Sequence, residues 1–158
     1  MTKSRWFVLL LVLTLAVGLL AGCSRDPNVR KQKYFESGMR YFDKQQYREA
    51  AIEYQNAIQV DPRFAKAHYH LAQCYLKLGL WTGAYRELTR TVDLQPDNLA
   101  AQLDLGNLWL GARHFKEAQE KAELVLQKDP KNVDAHILLA NAYAGMQSPE
   151  ALLANPSG

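Results

Sequence analysis

The strongest constraint on this 158-residue chain is a set of three prolines that stand 34 residues apart. They are Pro62, Pro96 and Pro130. We number each 34-residue unit so that its proline takes position 32. The units then begin at Lys31, Ala65, Leu99 and Val133. A fixed period of this length predicts a stack of similar units rather than one irregular core.

Three further columns keep the same spacing. Position 8 is small, in Gly38, Ala72, Gly106 and Ala140. Position 11 is aromatic, in Tyr41, Tyr75, Trp109 and Tyr143, and position 20 is alanine, in Ala50, Ala84 and Ala118. The pattern resembles the tetratricopeptide repeat (TPR), whose unit is a helix, a tight turn and a second helix. The resemblance implies an all-α helical-hairpin solenoid with repeats at 31–64, 65–98 and 99–132, and a partial fourth repeat with a tail at 133–158.

These columns also have direct physical reasons. Small residues at positions 8 and 20 let the two helices of a unit approach closely, and the aromatic residue fills the space beside them. The proline ends each second helix, because it lacks an N–H donor and disfavours a helical conformation in the residue before it. We therefore expect helices to end near Asp61, Gln95 and Asp129. Asn98 and Asn132 are predicted N-caps, whereas Phe64 is not one.

The N-terminal segment has a different composition. Lys3 and Arg5 precede an almost unbroken apolar run over residues 6–20, which is shorter than the roughly 20 residues needed to span a bilayer. The segment 1–22 is therefore predicted to be a secretory signal. Leu20-Ala21-Gly22-Cys23 resembles the lipobox of bacterial lipoproteins. An uncleaved signal anchor is the alternative.

The lipobox resemblance implies a location for the protein. It implies that Cys23 is the first mature residue and carries lipid chains such as palmitate, followed by a short tether over 23–30. Two or three acyl chains anchor a protein stably where one chain is marginal. Ser24, rather than Asp, follows Cys23, and by resemblance this favours the outer membrane. We expect a lipid-anchored, periplasm-facing protein of the bacterial cell membrane.

Charge and chemistry exclude several functions. Without Lys3 and Arg5 the chain's 19 basic residues become 17 against 16 acidic ones, a balance of +1, which argues against a nucleic-acid partner. Histidines 68, 70, 114 and 136 lack metal-binding spacing, and the chain has no glycine-rich phosphate loop. His68 and His136, both at position 4, are expected to pack, as is Cys74. We expect no enzyme, cofactor or metal.

The family resemblance assigns a concave groove to positions 2, 5, 9 and 12 of the first helices. The candidate partner-binding residues are Phe35, Met39, Phe42, Lys66, Tyr69, Gln73, Leu76, Asn107 and Asn141. The amides at position 9 can bond to the backbone of a bound peptide segment. For Leu103 and Ile137, groove contact and packing between helices both stay open. Phe35 and Asp104 stand where chaperone-binding members of the family have Lys and Arg, so that carboxylate clamp is absent.

Two function classes fit this pattern. The first is a membrane-anchored scaffold or adaptor that binds a protein partner in the cell envelope. Resemblance suggests pilus assembly, outer-membrane assembly, or polysaccharide and exosortase-linked export. The second is a periplasmic carrier or sensor that binds a glycan or lipid in the same groove.

The last repeat is incomplete in the sequence. It has a predicted first helix over 134–144 and a short second helix from Ser148. We expect either a partial copy of a longer array or a terminal face covered by another subunit.

Overall fold

The computed structural model describes residues 26–147, and the predicted signal, the lipobox and the second helix of the fourth repeat lie outside them. The described residues form seven α-helices and no strand. We number these helices α1 (Pro27–Asp43), α2 (Tyr47–Val60), α3 (Ala65–Lys77), α4 (Trp81–Leu94), α5 (Leu99–Gly111), α6 (Phe115–Lys128) and α7 (Val133–Met146). They divide at Phe64 into two compact units, of which the first holds α1 and α2 and the second holds the other five helices.

The helix ends follow the proline period. The residue before each proline is the C-cap of a second helix and has non-helical backbone angles, with φ of −139° at Asp61 and Gln95 and −133° at Asp129. The side chain of Asn98 accepts a hydrogen bond from the N–H of Ala101, and that of Asn132 accepts one from Ala135. The predicted helix ends and both N-caps are therefore confirmed.

The first helix begins earlier than the sequence predicted. Residues 27–30, assigned to a tether, form the first turn of α1. Asp26 caps this turn by accepting from the N–H of Asn28, and Pro27 fits at the helix start, where its missing donor is not needed. The predicted tether over 23–30 is wrong for its last four residues.

The first unit is held by close contact between its two helices. Ala50, Tyr54 and Ala57 of α2 are fully buried, and Gly38 of α1 lies against the Tyr54 ring. A methyl group on Gly38 would lie 2.6 Å from Cε1 of that ring. The small residue at position 8 is therefore required by the helix crossing, as the sequence predicted.

The second unit has two adjoining apolar clusters. One contains Ala72, Leu88, Ala101 and Leu105, and the other contains Ala118, Ala122, Leu138 and Ala142. Trp109, at position 11, packs against both clusters and so links neighbouring repeats. Ala140 is exposed, unlike the other residues at position 8. The second helix predicted to cover it lies outside the described residues.

Candidate functional site

Residues at positions 2, 5, 9 and 12 of each first helix share one side of that helix, because their spacing matches the helical turn. We call this side the first-helix face. In the second unit it comprises Lys66, Tyr69, Gln73 and Leu76 on α3, Ala100, Leu103, Asn107 and Leu110 on α5, and Asp134, Ile137, Asn141 and Ala144 on α7. None of these residues is fully buried, so the face is accessible in the second unit.

In the first unit, the candidate groove residues differ in how far they are exposed. Phe35 is only 7% exposed, and its ring lies 5.6 Å from the Tyr54 ring and 5.2 Å from the Phe64 ring. Phe35 is therefore a core residue and not the exposed groove residue that the sequence predicted. An apolar side chain at position 5 fits either role, so the sequence alone could not distinguish them. Met39 is exposed, and Phe42 is half-buried against Tyr47 with an edge-to-face ring contact at 5.2 Å.

The structure distinguishes between groove contact and helix packing for Leu103 and Ile137, which the sequence did not. Leu103 is half-buried and packs against the second apolar cluster, so it contributes to packing. Ile137 is 54% exposed and is available for contact. Asn107 and Asn141 are both exposed at position 9. On α5 and α7 the face therefore presents two amides beside an exposed apolar side chain.

A polar cluster joins α3 to α5. Nε2 of Gln73 donates to Oδ2 of Asp104 at 2.6 Å, and the Tyr69 hydroxyl also donates to this carboxylate. Burial, followed by the nearby Asp104 charge, raises the pKa of Tyr69 to about 12. Burial also raises the pKa of Asp104 above its ordinary value, although the two hydrogen bonds oppose the shift. In the sequence, Asp104 was informative only as an acidic residue at a position where chaperone-binding members of the family have Arg. Nothing in the sequence predicted this cluster.

The histidines have structural partners. Nδ1 of His68 lies 2.7 Å from Oε2 of Glu87, and both side chains are buried. The predicted packing of His68 is thus joined by a buried hydrogen bond to Glu87 that the sequence did not reveal. His136 is exposed, contrary to expectation, and its Nε2 donates to the carbonyl of Pro130 at 3.0 Å. Gln102, at the same repeat position, donates to Pro96.

The described residues include potential metal ligands and one thiol. Within residues 26–147 no three His, Cys, Asp or Glu side chains are grouped to hold a metal ion. Cys74 is fully buried and free, and burial raises the pKa of its thiol to about 12, so it stays protonated. Among the helices over the same residues, none is both long and apolar enough to cross a bilayer.

Comparison with known proteins identifies the fold. Residues 38–79 match the family model described as TPR repeat. The chain carries a tetratricopeptide-repeat domain. This TPR domain is similar to the first TPR domain of Spaghetti (RPAP3), solved with an HSP90 peptide SRMEEVD, at a TM-score of 0.71 and 24% identity over 75% of this chain and 94% of that one. The structure of a MamA RS-1 double mutant gives a TM-score of 0.71 at 19% identity, over 82% and 77% of the two chains.

Curated relatives match over a similar stretch. Hsp70-Hsp90 organizing protein 3 of Arabidopsis thaliana is 28% identical over 107 residues, which is 68% of this chain and 19% of the relative. DnaJ homolog subfamily C member 3 of Rattus norvegicus is 30% identical over 109 residues, or 69% and 22% of the two chains. The TPR chain therefore spans about a fifth of the length of these relatives.

Proposed function

We propose that this TPR chain is a non-catalytic scaffold that binds a segment of another protein on its first-helix face. The observation that supports this most strongly is the pair of exposed amides, Asn107 and Asn141, at equivalent positions of α5 and α7. A side-chain amide both donates and accepts hydrogen bonds, so it can pair with either polar group of a peptide backbone. Exposed Ile137 adds apolar contact area on α7.

Structural neighbours support a peptide as the ligand. The Spaghetti (RPAP3) domain was solved with an HSP90 peptide, and the second TPR domain of human RPAP3 was solved with an HSP70 peptide, SGPTIEEVD. Both peptides end in acidic residues. An acidic C-terminus fits this chain poorly, because Asp104 adds a negative charge and Phe35 is buried in the core. We therefore infer a partner other than an acidic chaperone tail.

We further propose that the scaffold is tethered in the bacterial cell envelope through lipid on Cys23. The lipobox at residues 20–23 supports this, as does the apolar run before it. Ser24 favours the outer membrane. Assembly or export machinery of the envelope is then the class of partner within reach.

In-cell photocross-linking tests the binding face. A photoreactive amino acid is placed at Asn107 or Asn141 in the full chain, and at exposed Glu120 on α6 as a control. We expect both first-helix positions to give the same protein adduct and the α6 position to give none. Adducts only at α6 would contradict the proposed face. Glycan or lipid adducts at Asn107 would instead support the carrier function.

Metabolic labelling with palmitate tests the tether separately. We expect Cys23→Ser to abolish acylation, measured by incorporation of labelled palmitate, and to stop processing of the precursor. The matched substitution Cys74→Ser lies at a buried thiol far along the chain and should leave acylation unchanged. Unaltered acylation and processing of Cys23→Ser would remove the lipoprotein proposal and leave the binding face untouched.

A further inference from the structure

Among the described residues, Asp104 differs from two other hydrogen-bonded carboxylates, Asp61 and Glu87, in the charge of its partners. Asp61 pairs with the Lys31 ammonium, and Glu87 pairs with His68 and Arg86. Asp104 has only neutral donors, the Gln73 amide and the Tyr69 hydroxyl, and over residues 26–147 it forms no ion pair. Two hydrogen bonds therefore hold the Asp104 carboxylate in place, but no cation among the described residues neutralises its charge.

The position of the Asp104 carboxylate lowers the stability of the protein when no partner is bound. Asp104 is half-buried, and burial of an ionised carboxylate without a cation costs free energy. The raised pKa of Asp104 expresses that cost. A cation supplied from outside the chain would reverse it, because an oppositely charged neighbour favours the ionised form.

The groups around Asp104 suit a cation. Gln73 uses its amide nitrogen on the carboxylate, and its carbonyl oxygen is a second acceptor at the same place. The Tyr69 ring is half-buried against the first apolar cluster, and its hydroxyl end meets the carboxylate, so an aromatic side chain lies beside the place where a Lys or Arg head group would bind. Nearby fixed charges on the first-helix face are Lys66 on α3 and Asp134 on α7, both exposed, so the face as a whole does not repel a cation.

We infer that Asp104, held in place by Tyr69 and Gln73, binds a lysine or arginine side chain of the partner segment. This inference rests on the proposed function, since it names the chemistry of the segment that the first-helix face accepts. Charge-assisted hydrogen bonds are about twice as strong as neutral ones, so this single contact can select the partner. The amides of Asn107 and Asn141 would then hold the backbone of the same segment.

Selection from a random library of 12-residue peptides tests the inference. The full chain, purified in detergent, is used as the bait in wild-type form and as Asp104→Asn and Asp93→Asn. The two substitutions remove the same charge, but Asp93 is exposed on α4, away from the first-helix face. Asparagine keeps the shape of Asp104 and an oxygen that accepts from Gln73. Thermal melting followed by circular dichroism confirms that each bait is folded.

We expect wild-type and Asp93→Asn baits to enrich peptides with Lys or Arg at a shared position, and Asp104→Asn to lose this enrichment. For one selected peptide, Asp104→Asn should weaken the Kd by about tenfold or more. Exchange of the peptide's basic residue for Gln should weaken its binding to the wild-type chain by a similar factor. Asp104→Lys should turn the preference towards acidic peptides.

Two other outcomes overturn the inference. If wild type selects peptides with no basic preference, or Asp104→Asn keeps that preference, the role of Asp104 is wrong and the binding face still stands. If wild type selects no peptide and photocross-linking at Asn107 captures no protein, the proposed function fails, and the inference fails with it.

Discussion

At the scale of single residues, side-chain volume decides how closely the two helices of a repeat approach. Gly38 and Ala50 occupy the small columns of the first repeat, and both are buried. The sequence alone indicated this, because the columns recur at a fixed period. It could not separate core from surface for Phe35, since an aromatic residue at position 5 suits either a packed interface or a binding face.

We predict that Gly38→Ala destabilises the chain. The added methyl group would meet the Tyr54 ring at 2.6 Å, and relief of such overpacking costs about 1–3 kcal/mol. Gly111→Ala is the matched control, because nothing lies within 4 Å of a methyl group there. Chemical denaturation measures both. A loss of stability in Gly111→Ala equal to that in Gly38→Ala would show that the clash is not the cause.

At the scale of elements, each helix pair turns through one residue in the left-handed region. Gln45, Gly79 and Arg113 have φ of 60°, 70° and 66°, and they share position 15 of successive repeats. Only one of the three is glycine, so no glycine column marks this turn in the sequence. The proline and asparagine signals at the other helix ends were explicit, and those boundaries were predicted correctly.

We predict that Arg113→Gly stabilises the second unit. A left-handed conformation costs a non-glycine residue about 1–2 kcal/mol, and glycine removes most of this cost at the expense of some unfolded-state entropy. The expected gain is about 0.5–1 kcal/mol in the free energy of unfolding. Gly79→Ala, in the equivalent turn, should lose a similar amount. Thermal unfolding of both variants checks the prediction, and a destabilised Arg113→Gly would contradict it.

The pair formed by α3 and α4 contains a pH-dependent contact. Burial opposes ionisation of Glu87, but hydrogen bonds from His68 and Arg86 outweigh it and hold the pKa of this carboxyl below its ordinary value. A lowered folded-state pKa means that Glu87 contributes stability above its unfolded pKa and loses it as the pH falls through the lowered value.

We therefore predict that wild type loses stability between about pH 5 and pH 3 more steeply than Glu87→Gln does. Denaturation midpoints measured across that range check the difference. Asp93→Asn, which alters an exposed carboxylate, is the control and should follow wild type. Parallel curves for wild type and Glu87→Gln would contradict the assignment.

At the scale of the whole molecule, the repeat period predicted the fold well because packing between helices repeats with the sequence. The pairing of His68 with Glu87 and the cluster around Asp104 were not predicted. Both join residues on different helices, and neither has side-chain types that recur at the 34-residue period. The positions of His68 and Glu87 are taken in the third repeat by Gln102 and Lys121, which hydrogen-bond with different chemistry. The proposed partner recognition has the same limit, since it depends on Asp104, which belongs to no repeat column.

The central claim is that a protein segment binds the first-helix face of this TPR domain. Calorimetric titration of the cross-linked partner, once identified, tests it most directly. The full chain is compared with Asn107→Ala/Asn141→Ala and with Lys116→Ala/Glu120→Ala, whose sites are on α6. We predict that the first pair weakens the Kd by about tenfold or more, since two hydrogen-bonding side chains are lost, and that the second pair leaves it unchanged. Unchanged affinity in the first pair with weakened affinity in the second would contradict the account.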